Sequence, residues 1–326
     1  MKSRVLVTNR IPAAVLQHLE SDLEIDYHTE QNALSRDQLL DRVRDKHGLL
    51  CVVTDTIDAG IIKAGSQLRV IANIAVGYDN IDIATAKKHG IVVTNTPEVL
   101  TESVAELTWG LILNVTRRVV EGDRLIQSGV WKGWALDFML GMELFGKQLG
   151  VVGSGRIGRA VAARASVFGM KVVFAARKES NDTTDRSQLT KTLKDSSVMP
   201  LDRLLATSDV VSLHVPMTSD THHLIDREAL VNMKPSAYLI NTSRGPVVDE
   251  DALVLALREG LIAGAALDVY EREPMVNSGL LGLSNVVLSP HLGSATHETR
   301  TAMADLAARN LMEVLSGNSP ITPINS

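Results

Sequence analysis

One cysteine, Cys51, stands among the 326 residues, so no disulfide can close within the chain and a cysteine-based metal site is not expected. It lies in the apolar run Leu49 to Val53, which reads as a small core side chain rather than a nucleophile. Aromatic residues make up only 3%, so the core has to be built from Val, Ile, Leu and Ala. That aliphatic bias suits parallel strands covered on both faces by helices. Excess charge is also lacking: a net charge of −5 gives no electrostatic reason to expect nucleic acid or an anionic membrane as partner. No apolar window is long enough to span a bilayer. The opening MKSRVLVTNR has no apolar stretch behind its basic residues, which predicts no signal peptide and a cytoplasmic protein.

The remainder is ordinary globular material of a length that implies two domains. Short Val/Ile-rich runs alternate with amphipathic segments from end to end, the βαβ pattern. Strands are predicted at Arg4–Thr8, Gly48–Val53, Arg69–Ala75 and Ile91–Thr96, with helices at Pro12–Glu20, Arg36–Asp45, Ala59–Gly65 and Asp82–His89. A long helix is expected over Glu102 to Gln127, capped by Thr101. A second strand series follows at Leu149–Gly153, Lys171–Ala175, Asp209–His214, Tyr238–Thr242, Ala263–Val269 and Asn285–Ser289. Lys178 to Ser197 reads as exposed loop and weak helix, and Glu298 to Ser316 as the last helix.

The second series opens on a glycine pattern, G-x-G-x-x-G at Gly153, Gly155 and Gly158, between an aliphatic strand and a helix-forming run. Glycines in turns are common, and the pattern alone is weak. Here strand, loop, helix and next strand supply the context of a dinucleotide site. Gly153 permits the tight turn, Gly155 the approach of a pyrophosphate and Gly158 the packing of helix on strand, while the helix N-terminus offers N–H groups to phosphate. An acid usually follows the second strand to hold the adenosine 2′-hydroxyl. In its place stand Ala176, Arg177 and Lys178, which favours a 2′-phosphate and so NADP over NAD. Read without a ligand, the two cations are simply solvated.

Three polar residues follow buried strands, at the end where α/β sheets carry ligands: Arg244 in NTSRG, Glu273 in DVYEREP and His291 in SPHLGS. Singly they read as a surface arginine, a helix-start acid and a turn histidine. Together they match the reduction of a 2-oxo acid. Arg244 can bind a carboxylate bidentately, His291 can donate the proton, and Glu273 beside it favours the imidazolium and orients the ring.

The strings NIAVGYDNID, TESVAELTWGLIL, GVVGSGRIG, LINTSRGPVVDEDALVLAL, AALDVYEREP and SPHLGSATHETR resemble the D-2-hydroxyacid dehydrogenase family along nearly the whole chain. Within it the chain is most similar to glyoxylate/hydroxypyruvate reductases and 2-ketogluconate reductases. The resemblance implies an α/β fold of two Rossmann-like doubly wound domains with parallel sheets. A discontinuous outer, flavodoxin-like substrate domain would take residues 1–100 and 294–326, and the dinucleotide-binding domain residues 101–293. It implies Arg244, Glu273 and His291 as catalytic residues, and backbone N–H groups around Val76 and Gly77 as holders of the substrate carboxylate. Cofactor contacts are implied from Val76, Thr108, Gly153, Ser154, Gly155, Arg156, Ile157 and Gly158. Ala176, Arg177, Lys178, Val215, Thr242, Ser243 and Arg244 continue the set, which closes with Asp268, His291, Gly293 and Ser294. Asp268 can accept from the nicotinamide carboxamide; a capping aspartate is its plain reading. No metal is implied.

D-3-phosphoglycerate and D-lactate dehydrogenases remain alternatives on the same resemblance, and a dinucleotide-sensing corepressor scaffold is the alternative without catalysis. Formate dehydrogenases pair the histidine with glutamine, so Glu273 speaks against one. The segment Trp131 through Phe145, rich in Trp, Met, Leu and Phe, is either core or a self-association surface. A homodimer is expected, and the resemblance implies that Trp134 touches the neighbouring subunit's substrate pocket.

Overall fold

The computed structural model describes residues 2–30, 32–175 and 196–325. Ala176, Arg177 and Lys178 lie outside the described residues. The chain divides into two compact units, Met1–Leu100 with Ala295–Ser326, and Thr101–Ser294.

In the first unit five parallel strands, β1 (Ser3–Val7), β2 (Leu23–Tyr27), β3 (Gly48–Val52), β4 (Val70–Ile74) and β5 (Val92–Thr94), lie in the order β2-β1-β3-β4-β5. This is the flavodoxin-like order of a doubly wound sheet. Period-two side chains supply a core on each face. Leu6, Leu49, Cys51 and Ile71 pack on one side, and Val5, Val7, Leu50 and Val70 on the other. Cys51 is fully buried, as its apolar surroundings predict. The second face is completed by Ala304, Ala307, Ala308, Leu311, Val314 and Leu315 of the late helix His297–Leu315. Arg69 fastens that helix by donating to the carbonyls of Val314 and Leu315 at 2.9 and 3.0 Å.

The second unit holds seven parallel strands in the order β12-β11-β10-β9-β6-β7-β8. These are β6 (Gln148–Val152), β7 (Lys171–Ala175), β8 (Ser196–Met199), β9 (Val210–Leu213), β10 (Tyr238–Asn241), β11 (Gly264–Leu267) and β12 (Val286–Leu288). Counted from β6, the order is that of a dinucleotide-binding sheet with one strand added, and the direction of winding reverses between β6 and β9. Leu149, Val151, Phe174 and Ile240 face one core, while Val152, Val211, Leu213 and Leu239 face the other.

Three local features depart from the sequence reading. Leu23–Tyr27, unassigned from sequence, is an edge strand, and so is Ser196–Met199, whose first two residues close the stretch Lys178 to Ser197 read as loop and weak helix; the rest of that stretch lies outside the described residues. The long helix is two: Thr101–Thr116, with Thr101 inside its first turn rather than capping it, and Val119–Gln127. The break falls at Arg118, in the left-handed region at φ 56°. There the Thr116 carbonyl accepts from Met142 N at 2.8 Å instead of continuing the helical ladder. Residues 130–147 form neither helix nor strand. Each of the two readings of that apolar segment holds in part: Leu144 is buried in the core with Met142 packed against it, whereas Trp134, Leu136 and Phe145 are 81%, 82% and 76% exposed.

Candidate active site

At the reversal point, β6 runs into the helix Arg156–Ala165 through the glycine loop. Gly153 sits at φ 111°, and a Cβ there would strike the carbonyl of His214 at the end of β9. A Cβ on Gly158 would strike the carbonyl of Gly153. These two glycines are required by packing. Gly155 differs: it caps the helix, and a Cβ there would meet nothing within 4 Å among the described residues. Having no side chain, it makes no side-chain cap bond. Open space before a helix N-terminus suits a pyrophosphate. Ser154 O is taken by Arg159 Nε at 2.7 Å, which helps to fix the loop. The residues present therefore fit a nicotinamide dinucleotide.

Around the loop, Val215 follows His214, whose N–H donates to Val152 O at 2.7 Å. Thr108 and Thr242, separated by 134 positions, meet with their hydroxyls 3.0 Å apart, both buried. Thr108 also donates to Val104 O at 2.7 Å, which leaves Thr242 as donor toward its neighbour or a ligand.

Arg244 lies just past β10 in extended backbone, φ −143° and ψ 140°. Asn241, which the sequence did not single out, organises the turn before it. Its Oδ1 accepts from the N–H and hydroxyl of Ser243, and its Nδ2 donates to the Arg244 carbonyl at 2.8 Å. Arg244 Nη1 donates to Ser243 O at 2.9 Å.

Glu273 and His291 are brought together as expected. Glu273 Oε2 lies 2.8 Å from His291 Nδ1, and Glu273 Oε1 accepts from Tyr270 N at 3.0 Å. Burial works against ionisation of Glu273. The His291 contact, the Tyr270 N–H and the Arg244 charge outweigh it, so the carboxyl is held below its ordinary range. His291 itself occupies the left-handed region, φ 52°.

That strained turn is held by Asp268. Its Oδ1 accepts from Ser289 Oγ at 2.6 Å and Leu292 N at 2.7 Å, its Oδ2 accepts from Gly293 N at 2.8 Å, and its carbonyl takes His291 N at 2.9 Å. Burial raises the Asp268 pKa despite these donors. Tyr270, also missed, donates from its phenol to Ser289 O at 2.9 Å, and burial with the nearby Asp268 and Glu273 charges pushes its pKa up to about 12. Ser294, after this turn, is half-buried.

In the first unit, Val76 and Gly77 follow β4. Asn95 Nδ2 holds Val76 O at 2.8 Å, Asn73 Nδ2 holds Gly77 O at 3.0 Å, and Thr96 N holds Ala75 O at 2.9 Å. A trans peptide points its N–H opposite its C=O. The Val76 and Gly77 N–H groups are thus turned away from Thr96 and Asn95.

Among the described residues no cluster of three or more His, Cys, Asp or Glu is placed to hold a metal, and no helix is long and apolar enough to cross a membrane.

Residues 109–293 match the family model described as D-isomer specific 2-hydroxyacid dehydrogenase, NAD binding domain. The whole chain is similar to a glyoxylate reductase of Thermofilum pendens, 49% identical over 327 residues, covering 99% of this chain and 95% of that one. Among solved structures, a Thermus thermophilus protein superposes with a TM-score of 0.89 at 45% identity, over 98% and 99% of the two chains. An NADPH-dependent glyoxylate/hydroxypyruvate reductase of Sinorhizobium meliloti, in complex with NADP and malonate, gives 0.85 at 34% identity, over 99% and 97%.

Proposed function

We propose, from the premise that this chain belongs to the D-isomer specific 2-hydroxyacid dehydrogenases, that it reduces glyoxylate or hydroxypyruvate, or the related 2-ketogluconate, to the D-2-hydroxy acid. It is an oxidoreductase of CH–OH donors with an NAD-binding domain. The observation that carries the reading is the 2.8 Å contact of His291 Nδ1 with Glu273, in a site that also holds Arg244.

With Nδ1 committed to Glu273, the transferable proton sits on His291 Nε2. It passes to the carbonyl oxygen of the oxo acid as the alcohol forms. Arg244 binds the substrate carboxylate as a planar pair and turns the carbonyl toward His291. Glu273, ionised by its surroundings, holds the ring in orientation and offers it a counter-charge until transfer. The dinucleotide, when bound, supplies the hydride that the carbonyl carbon receives. His291, with its side chain 31% exposed, regains a proton from solvent.

NADP is the proposed cofactor, because Ala176, Arg177 and Lys178 offer two cations and no acid after β7. The similar Sinorhizobium enzyme is itself NADPH-dependent. A cation on a phosphate contributes about 1.5 to 3 kcal/mol, so about ten- to a hundredfold preference for NADPH is expected. The test is kcat/KM for NADPH and NADH against a panel of 2-oxo acids, in wild type and in Ala176→Asp. The variant should shift the ratio toward NADH. A wild type favouring NADH refutes the cofactor assignment, and no turnover of glyoxylate, hydroxypyruvate or 2-ketogluconate refutes the substrate class.

The molecule is further proposed to be a homodimer through residues 130–147, where Trp131, Trp134, Leu136, Leu140 and Phe145 are exposed within one chain.

A further inference from the structure

The loops that carry Arg244 and Glu273 have both left the sheet. The last ladder pair of β10 and β11 is Asn241 with Leu267, followed by one bond from Asp268 N to Asn241 O. The reaction proposed above depends on the spacing of those loops, and no strand pairing sets it. Other groups do. The backbone of Gly245 lies so close to that of Tyr270 and Glu271 that any Cβ would collide with it. Glu250 and Glu271 then exchange bonds: Glu250 N donates to Glu271 Oε1 at 2.9 Å, and Glu271 N donates to Glu250 Oε1 at 2.7 Å. His223 bridges the two segments. Its Nε2 donates to Glu271 Oε1 at 3.1 Å, and its backbone N–H donates to Pro246 O at 2.8 Å. It does so from the left-handed region, φ 48°, with its ring stacked on His222 at 4.0 Å.

We infer that Glu250, Glu271 and His223 are positioning residues that lock the Arg244 loop to the Glu273 loop, and so set the distance between carboxylate anchor and proton donor. The inference rests on the site assignment made above. Stability alone does not account for the arrangement. Glu250 is 6% exposed beside a second carboxylate, with Asp249 and Asp251 as chain neighbours, and an apolar pair of the same volume would avoid that desolvation. What the two acids provide is a pair of directional bonds between backbones that share no ladder.

The test compares Glu271→Ala with Glu271→Gln, whose Oε1 still accepts from Glu250 N and His223. In the Ala variant kcat/KM for glyoxylate should fall about ten- to a hundredfold, since a shift of about 1 Å in a reacting array costs on that order. The high-pH limb of reduction should move with it, because Glu273 is displaced from His291. NADPH affinity should stay within about twofold and Gln should restore most of the loss, a pattern that a general loss of structure does not give. Unchanged kinetics in Glu271→Ala overturns the inference, as does a Gln variant no better than Ala, or an equal loss of NADPH binding. Should the Ala variant not fold, His223→Phe against His223→Gln makes the same comparison with the Glu250–Glu271 exchange left in place. Arg244→Ala and His291→Ala run alongside: full activity there sinks the site assignment, whereas their loss beside an intact Glu271→Ala sinks only the lock.

Discussion

His214 offers a prediction whose size can be worked from its surroundings. The side chain is half-buried at the end of β9, its Nε2 is 2.9 Å from Ser212 Oγ, and its Nδ1, shut off from solvent, has no hydrogen-bond partner among the described residues. Burial disfavours the imidazolium and drops the pKa from 6.5 to about 3. In the unfolded chain the same ring titrates near its ordinary value. Between those two values the unfolded state binds a proton that the folded state refuses. The stability is therefore complete above about 6.5 and drains away as pH falls toward about 3. At pH 5 the loss from this one group is RT ln(1 + 10^1.5), about 2 kcal/mol. The assay is urea unfolding at pH 7 and pH 5, at fixed protein concentration because an oligomer's stability depends on it. His214→Gln removes the titration. It costs packing at both pH values, so only the change between them matters. The wild type should lose about 2 kcal/mol more than the variant over that interval. Equal losses in the two proteins would refute the reasoning.

Replacing His291 by Ala should lower kcat/KM for reduction by about 10²- to 10⁴-fold, and unchanged turnover would reject it as proton donor. Glu273→Gln removes the charge that favours the imidazolium, so the high-pH limb of the reduction profile should move to lower pH; a fixed limb counts against the pairing. Asp268→Asn places an amide NH₂ against N–H donors of Leu292 or Gly293 and should loosen the His291 turn, lowering single-turnover rates at least about tenfold with melting temperature as the control. Charging the exposed segment, with Trp134→Glu and Leu136→Asp together, should give a monomer by sedimentation; an unchanged dimer, or a wild type that is itself monomeric at micromolar concentration, removes the interface from that segment.

What could be read in advance follows the apolar pattern. The central strands are mostly aliphatic runs, so β3, β4, β6, β9, β10 and β11 declare themselves, as does the short apolar run of β12, and with them the strand ends bearing Arg244, Glu273 and His291. The edge strand Leu23–Tyr27 alternates apolar residues with Glu24 and Asp26, and its half-exposed face carries no core signal. The break at Arg118 is set by Met142 taking the Thr116 carbonyl, a bond between positions 26 apart that no local propensity encodes. The glycine motif was legible because each of its positions has a distinct reason, steric at Gly153 and Gly158 and room for a ligand at Gly155. Tyr270, Glu250 and Glu271 were not, since each acts by bonding to backbone that only the fold brings near, whereas Asn241 makes a local turn of a kind common to asparagines.

The interrupted first unit has a consequence for synthesis. Its strands β1, β3 and β4 present Val5, Val7, Leu50 and Val70 to a helix that begins only at His297. At about 5 to 20 residues per second, a ribosome needs about 10 to 40 s to cover the stretch from Leu100 to that helix. Throughout that interval one face of the nascent sheet is covered only in part, by Val15 and Leu19, while the described residues of Thr101–Ser294 already supply its own two cores. The inserted unit can therefore finish first on the ribosome, and the first-made strands close last. A chain cut short before His297 keeps a complete nucleotide-type unit tethered to an open, adhesive sheet, so premature termination ahead of that helix yields an aggregating product rather than a merely inactive one.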